Sequence, residues 1–486
     1  MMPLLLLSIL TSLWIGFCFL SVSWEDRKSG HAYLFLKCCL AVGVGLGISS
    51  CCFFLWLLLG GSSGSSFAMM ETALLVIFTW IYFRRIRARN CAKEAVLLPS
   101  SDSKPKTQKY LAIAFYAAFI CALVSFVLYS LVHPHGNWDA WTIWNMRARF
   151  LFRAGAQWEA AFSPLMSFFH TDYPLLIPCL VTRCWYYIGH ETAAAPALVS
   201  GIFTFATVGL AFSSIAVLRS ASQGYLAGLV LLGTPCFIQN GTFQYADIPL
   251  GFFFMATMVL FSLHDSSSSR NYNFLLLAGI TAGLSAWTKN EGQLFVVSIL
   301  ITRFALILTA KGWRTYLKEM RFFAMGLLPV LIILIYFKIE LAPPNDLFAS
   351  QGFRSILEKM IDLSRYIKIM KAFVRDILQY FGHWIVFAIY MFLLGGRIHE
   401  KNKPGIYTCL LVLCLMFAGY FSIYVITPHE LVGHMKTSLS RLLVQLWPSF
   451  VFLYFMIVNT PERSSGSQDN GLQSDVEPQS ASGVLK

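Results

Sequence analysis

The sequence predicts an all-α protein that crosses a membrane many times. Of its 486 residues, 57% are hydrophobic and only 13% are charged, and the mean hydropathy is +0.63. Soluble domains contain roughly 45–50% apolar residues. Apolar blocks of about 20 residues, the length that crosses a bilayer, recur from residue 3 almost to residue 458. No stretch between these blocks is long enough for a separate soluble domain.

The apolar blocks predict thirteen helical spans separated by polar stretches. With thirteen crossings, the two ends of the chain lie on opposite sides of the membrane. The predicted spans are 3–23, 33–59, 68–83, 110–132, 195–218, 224–239, 248–264, 273–288, 293–310, 322–338, 376–395, 405–426 and 442–458.

Basic residues set the predicted orientation, because cytoplasmic loops carry an excess of Lys and Arg. Placing the N-terminus outside brings the basic run Arg84–Arg89 into the cytoplasm, together with residues 311–321 and 397–403. The same reasoning assigns the net charge of +13 to topology and to contact with anionic lipid, and not to nucleic acid.

The segment Asp172–Gly189 needs a separate interpretation. It is apolar, but Pro174, Pro178 and Arg183 interrupt it, and counting it as a span would invert every later loop. We therefore expect it to lie along the outer surface, inside one large extracytoplasmic loop of interfacial helices, residues 133–194.

A second large outer loop, residues 340–375, is predicted to contain an amphipathic helix. Apolar residues recur at helical spacing from Ile356 to Val374, which favours a helix lying on the membrane. The basic residues beside this stripe either hold a lipid phosphate or form a solvated face that anchors the loop. They are Lys359, Arg365, Lys368, Lys371 and Arg375.

These features divide the chain into three predicted parts. Residues 1–109 form an accessory transmembrane module and a cytoplasmic linker. Residues 110–458 form the catalytic transmembrane domain. Residues 459–486, rich in Ser, Gly, Gln and Asp, cannot bury apolar area and are predicted to be a disordered cytoplasmic tail.

Ionisable residues gather at the predicted outer face of the membrane. Asp139 lies between Trp138 and Trp141 directly after a predicted span, and a carboxylate at an aromatic-rich membrane surface suggests chemistry. One shared face predicts one candidate site. The residues that recur at this face are Asp247, Lys289, Glu291, His429, His434 and Arg441.

Several enzyme classes are excluded by the motifs that the sequence lacks. It contains no Gly-rich phosphate loop, HExxH or GxSxG pattern, which argues against P-loop ATPases and common hydrolases. Most of its twelve cysteines fall in apolar blocks without CxxC spacing, so we interpret them as small buried hydrophobes. His429 and His434 are five residues apart, unlike the i, i+4 pair of a zinc helix, and a structural or supporting role is expected.

Four segments carry a resemblance to a known family: Asn137–Trp141, His170–Pro178, Gln244–Leu250 and Ala286–Gly292. Their order and spacing resemble the polytopic glycosyltransferases of the GT-C fold. The resemblance is strongest to the bacterial relatives of the protein O-mannosyltransferases and to the lipid A aminoarabinose transferases. It covers roughly residues 110–458 and implies a GT-C type helical bundle.

Such a family implies transfer of a hexose or pentose, with inversion, from a polyprenyl-phosphate donor to a lipid, glycan or protein acceptor. The reaction would take place on the extracytoplasmic face of a cell membrane, with the bacterial inner membrane as the implied location. The chain departs from the mannosyltransferases in one respect. Their first loop commonly has two adjacent acids, whereas here Asp139 is followed by Ala140, which leaves the acceptor type and the details of base catalysis open.

The implied reaction needs a base for the acceptor. Asp139 is the predicted base, since a positioned carboxylate can take the acceptor proton; alternatively, it caps an interfacial helix. Asp247 is predicted to support Asp139, to bind a sugar hydroxyl, or to join Asp139 around a Mg²⁺ or Mn²⁺ ion. Its alternative is an N-cap ahead of Pro249. No cofactor is certain from the sequence.

The reaction also needs cations for the departing phosphate. Lys289 and Arg441 are predicted to bind it, because a cation stabilises charge that develops on a leaving group. The alternative for Lys289 is a surface ion pair or snorkelling. Further residues are predicted to contact substrates, or else to pack and cap. These are Glu291, His170, Asp172, Gln244 and His429.

Two other classes of function remain open at this point. A transporter or flippase for a lipid-linked or small polar substrate would place its charges near mid-membrane on broken helices, often in repeated halves. No matching halves are found, and the charges lie at one face. A scaffold gives no reason for acids and bases to gather. Convergence of Asp139, Asp247 and Lys289 in space would favour a transferase.

Overall fold

The structure is a computed structural model. The predicted tail lies outside the described residues from 461 onward, as does most of the predicted linker, residues 91–105. Among the described residues, the chain forms helices and one isolated β-bridge between Gly396 and Val458. The described ranges are 2–24, 30–61, 64–90, 106–267, 271–345 and 351–460.

Eighteen described α-helices follow one another along the chain and are numbered here in order. They are α1 (Met2–Ser23), α2 (His31–Leu58), α3 (Gly64–Asn90), α4 (Lys106–Val132), α5 (Asn145–Arg153), α6 (Leu176–Ile188), α7 (Ala194–Leu218), α8 (Ala221–Leu232), α9 (Pro235–Thr242), α10 (Asp247–Ser266), α11 (Asn273–Thr288), α12 (Glu291–Lys311), α13 (Trp313–Tyr336), α14 (Phe353–Ile361), α15 (Leu363–Tyr380), α16 (Trp384–Leu394), α17 (Lys403–Ile426) and α18 (Leu431–Ile457).

Within the described ranges, ten helices are long and apolar enough to cross a membrane. Two further pairs pass the same test only as bent pairs, α8 with α9 at 63° and α15 with α16 at 76°. The apolar helix α11 has 16 residues, fewer than the roughly 20 of a straight crossing. The predicted all-α membrane protein with many spans is confirmed, while the count of about thirteen stays a prediction.

A bend of 63° divides the predicted span 224–239, so that it forms a bent pair of helices, and its crossing of the membrane stays a prediction. Helix α8 ends at Leu232, and α9 begins at Pro235 after two non-helical residues. Proline has no backbone N–H to continue the helical hydrogen bonds, but its fixed backbone angle suits the first turn of a new helix. The proline therefore starts a second helix at a new angle.

The second predicted outer loop contains two amphipathic helices where the sequence predicts one. Helix α14 ends at Ile361, and the Asp362 side chain then accepts a hydrogen bond from the Ser364 backbone N–H at 2.9 Å. A side chain that satisfies a free N–H in this way favours the start of a new helix. Helix α15 continues to Tyr380, and a bend before α16 divides the predicted span 376–395, whose crossing of the membrane stays a prediction.

The apolar segment Asp172–Gly189 does not lie on the surface of the protein. Its helix α6 has only 13 residues, too few for a span of about 20, as predicted. However, residues 174–185 are all buried, and α6 packs against α1, α2, α5 and α7. Its apolar side chains therefore pack against the protein core and do not face lipid.

The first three helices contact the rest of the protein through several helices, among them α6 and α7. Arg183 on α6 and Glu71 on α3 form a buried bidentate ion pair, in which two guanidinium nitrogens each lie 2.8 Å from a carboxylate oxygen. Arg183 also donates to the backbone carbonyl of Ser8 on α1 at 2.5 Å, and Tyr187 donates to Glu71. The division of the chain at residue 109 stays a prediction.

Candidate active site

Four separate parts of the chain bring the candidate residues together. Asp139 follows α4, Asp247 is the first residue of α10, Lys289 links α11 to α12, and Arg441 lies on α18. Neither aspartate caps a helix through its side chain. Asp139 makes no capping hydrogen bond, and the N-cap residue of α10 is Ala246. Capping therefore does not explain the two acids.

Arg441 joins the two aspartates. Its Nη2 atom lies 2.7 Å from Oδ2 of Asp139, and its Nε atom donates to Oδ2 of Asp247 at 3.0 Å. The guanidinium carbon also lies 4.4 Å from the centroid of the Tyr245 ring. The planar fork suits such a bridge, and the ring below it holds its orientation.

Lys289 extends the chain of ion pairs. Its Nζ atom lies 3.0 Å from Oδ1 of Asp247 and 2.8 Å from Oε1 of Glu291. Gln445 donates to the same Oδ1 atom at 2.6 Å. Asp247 thus accepts hydrogen bonds from three side chains at once. We call Asp139, Arg441, Asp247, Lys289 and Glu291 the charge cluster.

The charge cluster is closed at one end and open at the other. The side chains of Asp247 and Lys289 are 0% and 5% exposed, whereas those of Asp139 and Arg441 are 17% and 16% exposed. A substrate can therefore reach Asp139 and Arg441 first. Glu291 Oε2 is buried and has no hydrogen-bond partner among the described residues.

Attraction to its carboxylate neighbours keeps Lys289 charged. Burial alone would lower the pKa of Lys289, but Asp247 and Glu291 outweigh that effect, and the pKa lies above its usual value. Lys289 is therefore a fixed positive charge and not a proton donor.

Two tyrosines line the charge cluster as neutral groups. Lys289 Nζ lies 5.7 Å from the centroid of the Tyr173 ring. Burial, together with nearby carboxylates, raises the pKa of Tyr173 well above its usual value, and burial beside Asp139 raises the pKa of Tyr245 to about 12. Both hydroxyls consequently stay protonated near neutral pH.

Asp172 lies beside the charge cluster and supports it. Its Oδ2 atom accepts a hydrogen bond from Asn290 at 2.7 Å, and Lys338 donates to its backbone carbonyl at 2.6 Å. Because Asn290 is the neighbour of Lys289, these contacts fix the loop that carries the cation. Direct contact of Asp172 with a substrate stays a prediction.

His170 and Gln244 shape the loops near the site. Both adopt left-handed backbone angles, with φ of 50° and 59°, which is uncommon outside glycine. Gln244 Oε1 accepts a hydrogen bond from Asn145 at 2.8 Å, while the His170 carbonyl accepts from Arg147 at 2.6 Å. The described contacts of these residues tie loops together, and substrate contact stays a prediction.

His429 lies on the short loop between α17 and α18. Its ring packs against His434 at 5.3 Å between centroids, and His434 shares a hydrogen bond of 2.9 Å with Thr427. These contacts join the loop to the first turn of α18. They agree with the expected structural or supporting role of the two histidines, and binding of a substrate by His429 stays a prediction.

Two further residues, Gln445 and Tyr420, organise the site without being predicted from the sequence. Gln445 follows Arg441 by four residues on α18, so both point to the same side of the helix. That spacing was a readable signal. Tyr420 on α17 donates to Gln445 Oε1 at 2.5 Å. No pattern distinguishes Tyr420 from the other aromatic residues of its span.

A divalent cation does not fit between Asp139 and Asp247. Arg441 donates to both carboxylates, and Lys289 and Gln445 occupy the other oxygen of Asp247. A metal ion would have to displace a guanidinium that is already paired. The possibility of Mg²⁺ or Mn²⁺ therefore gains no support from this geometry.

A second group of ionisable residues lies at the other end of α10. His264, Asp265 and Glu319 bring possible ligand atoms within 4.8 Å of one another. However, Arg303 donates to both carboxylates at 2.7 Å. This group is an ion-pair network that joins α10, α12 and α13, with an arginine in the place of a metal.

Comparison with solved structures gives a low overall similarity. ArnT from Cupriavidus metallidurans matches in the apo state with 14% identity and bound to undecaprenyl phosphate with 16% identity, each at a TM-score of 0.45. The matches cover 73% and 72% of this chain and 63% and 62% of the ArnT chain. This chain therefore spans less than two thirds of ArnT. No curated protein matches the chain.

Comparison with protein families gives one match that bears on the site. Residues 172–337 match the family described as dolichyl-phosphate-mannose-protein mannosyltransferase. The matched range contains Asp247, Lys289 and Glu291, whereas Asp139 and Arg441 lie outside it. The resemblance to the GT-C type mannosyltransferases that the sequence predicted is thus confirmed by a family match over residues 172–337.

Proposed function

We propose that the protein is a glycosyltransferase that moves a sugar from a polyprenyl-phosphate donor to an acceptor on the extracytoplasmic face of the membrane. The observation that carries this proposal is the charge cluster, in which the accessible carboxylate of Asp139 pairs with Arg441, and Asp247 joins Arg441 to Lys289. The family match supports the donor class, since the description of that family names dolichyl-phosphate-mannose. It also makes a transporter the less favoured alternative.

In the proposed reaction, the donor phosphate binds Arg441 and Lys289 and competes with Asp139 for the guanidinium. Release from Arg441 leaves Asp139 free to accept the proton of an acceptor hydroxyl or amine. The acceptor atom bonds to the anomeric carbon as the carbon–oxygen bond to phosphate breaks, and the electron pair of that bond stays on the phosphate. A single displacement of this kind inverts the anomeric configuration.

Asp247 has a positioning role in this proposal. It is fully buried and accepts hydrogen bonds from Lys289, Arg441 and Gln445, so it lies behind the cations and out of an acceptor's reach. By fixing both cations, it prepares the place where phosphate charge grows, and preorganised charges of this kind are an effective form of catalysis.

Glu291 is the proposed contact for a sugar hydroxyl. One of its oxygens pairs with Lys289, and the other has no hydrogen-bond partner among the described residues. A buried carboxylate oxygen without a donor favours a ligand that brings one. The bacterial inner membrane remains the proposed location, on the resemblance of the sequence, with a lipid, glycan or protein as acceptor.

The direct test is an activity assay of the purified protein with a panel of polyprenyl-phosphate hexoses and pentoses and a membrane extract as the acceptor source. We expect one donor to lose its sugar in a reaction that depends on acceptor. If no donor is turned over, or if turnover is unchanged when Asp139 is replaced, the proposal fails.

A further inference from the structure

A cavity of about 260 Å³ lies far from the charge cluster. Helix α18 continues for 16 residues beyond Arg441 to Ile457, which lies three residues before Thr460 of the cavity lining, and 16 residues correspond to about 24 Å along a helix. The cavity is therefore a separate site. Its lining residues are Leu218, Arg219, Ser220, His399, Lys401, Asn402 and Thr460.

The lining of this cavity is basic. Arg219, His399 and Lys401 contribute to it, and no acidic side chain is among the described residues that line it. Two helices also begin here, α8 after its N-cap Ser220 and α17 after its N-cap Asn402. Helix N-termini carry partial positive charge, so they add to the attraction for an anion.

Asn402 provides an independent observation. An Asn at an N-cap usually accepts a hydrogen bond from the first turn of its own helix, but Asn402 makes no such bond. Its side chain is buried at 3% exposure, and neither its Oδ1 nor its Nδ2 atom has a hydrogen-bond partner among the described residues. A buried amide without partners is costly, and a bound ligand that accepts from Nδ2 would remove part of that cost.

We propose that this cavity binds a phosphate-bearing anion, either the headgroup of an anionic lipid or a soluble phosphate. A basic cavity with a free amide donor and two helix N-termini matches the charge and the acceptor oxygens of a phosphate. The volume exceeds that of several water molecules at about 30 Å³ each, so there is room for a headgroup as well. The predicted topology places the cavity at the cytoplasmic surface, where anionic lipids are enriched.

The test uses the purified full chain in a maltoside detergent, which brings no phosphate of its own. Isothermal titration is run with inorganic phosphate and, in a second arm, with a short-chain phosphatidylglycerol below its micellar concentration. Saturable binding of either probe supports the proposal. Phosphate alone indicates a soluble ligand, whereas a lipid that displaces phosphate indicates a headgroup.

Matched variants locate the binding. Lys401→Gln removes a cation from the cavity lining and should weaken binding roughly tenfold, and Asn402→Asp should abolish it by repulsion. The control Lys403→Gln makes the same charge change on a lysine that pairs with Glu400 at 2.6 Å and does not line the cavity.

Absence of binding to the wild type, or equal weakening by Lys401→Gln and Lys403→Gln, would overturn the proposal. Because Lys401 is exposed, its variant stays informative even if Asn402→Asp does not fold.

Discussion

At the scale of single residues, the two aspartates of the charge cluster have different surroundings and therefore different expected roles. Asp247 is fully buried and accepts hydrogen bonds from three side chains, whereas Asp139 forms an ion pair with Arg441 and is partly exposed. A substrate phosphate can replace Asp139 as a partner of Arg441 without moving Asp247. The cluster can thus stay assembled while its base becomes free.

Replacing Asp139 by Asn should reduce transfer by about 10²- to 10⁴-fold, the usual contribution of a general base. Donor binding and expression should stay close to wild type, because the side chain lies at the open end of the cluster. The assay measures release of labelled sugar from the donor under single-turnover conditions. Glu159→Gln, which neutralises an exposed acid in the same loop, is the control and should be fully active. Near-normal turnover by Asp139→Asn would remove it from the mechanism.

Replacing Asp247 by Asn should lower both activity and stability. The change leaves the positive charges of Lys289 and Arg441 without the negative charge of Asp247. Loss of one member of a buried ion pair lowers the free energy of unfolding by about 3–5 kcal/mol. Thermal unfolding in detergent should therefore shift to lower temperature for Asp247→Asn and not for Asp139→Asn. Equal melting temperatures for the two variants would contradict the positioning role.

Replacing Lys289 or Arg441 by Met should impair turnover more than donor affinity. The attraction between these cations and the donor phosphate is strongest in the transition state, when negative charge grows on the phosphate. Loss of one such group typically costs about 10²- to 10³-fold in rate. Lys289→Arg should rescue only partly, because a planar fork does not reproduce a point charge. Lys436→Met, an exposed lysine on α18, is the control. Wild-type kinetics in both Met variants would show that these residues only anchor the helices.

The sequence predicted the charged members of the site but not the groups that hold them. Asp139, Asp247, Lys289 and Arg441 stand out because ionisable residues are costly near a membrane. Tyr420 does not stand out, because an aromatic residue in an apolar span usually packs, and its hydrogen bond to Gln445 depends on how α17 meets α18.

At the scale of helices, the fold depends on polar contacts between distant segments. The pair of Arg183 and Glu71 joins α6 to α3, and both side chains are almost completely buried. The sequence shows one charge in each of two apolar blocks, but nothing in either block indicates its partner. The pairing becomes apparent only when α6 is packed between α1 and α2.

Breaking this pair should destabilise the protein without affecting the chemistry of the site. Arg183→Met leaves the Glu71 carboxylate buried without its cation, and the expected cost is about 3–5 kcal/mol. The double variant Arg183→Met with Glu71→Gln removes both charges and should recover part of the loss. The effect is measured as the half-life of donor-binding activity when the protein is incubated at elevated temperature. A double variant less stable than Arg183→Met would indicate that the pair is not the source of the cost.

Helix boundaries were predictable where the chain itself carries the signal. Pro235 lies inside the apolar block 224–239, and proline begins a helix more readily than it continues one, as it does here. The break at Asp362 has a comparable local cause, a side chain that caps the next helix. The angles between the bent pairs, 63° and 76°, depend on packing against other helices and could not be predicted from spacing.

At the scale of the whole molecule, Asp247, Lys289 and Glu291 of the charge cluster lie at ends of the helices α10, α11 and α12. Helix α12 begins beside Lys289 and has 21 residues, a length of about 31 Å, which separates the cluster from Arg314. The ion pairs of Arg441 hold Asp139 on the same side of the protein as these residues. The sequence predicts that this side faces the outside of the membrane, and the orientation can be tested independently of activity.

Single cysteines introduced into a background without the native cysteines should report the orientation through an impermeant thiol reagent applied to intact cells. Leu165, at 95% exposure, and Lys436 lie on the same side as the charge cluster, while Arg314 and Glu400 are exposed at the opposite ends of the helices. We expect labelling at positions 165 and 436 in intact cells, and at 314 and 400 only after permeabilisation. The reverse pattern would place the site in the cytoplasm and contradict an extracytoplasmic transfer. If positions 165 and 436 were labelled from opposite sides, the ion pair between Asp139 and Arg441 would itself be contradicted. Lys436 and Arg441 lie on the same helix α18, and Leu165 lies in the same loop as Asp139, so the pair cannot form if the loop and this end of α18 lie on different sides of the bilayer.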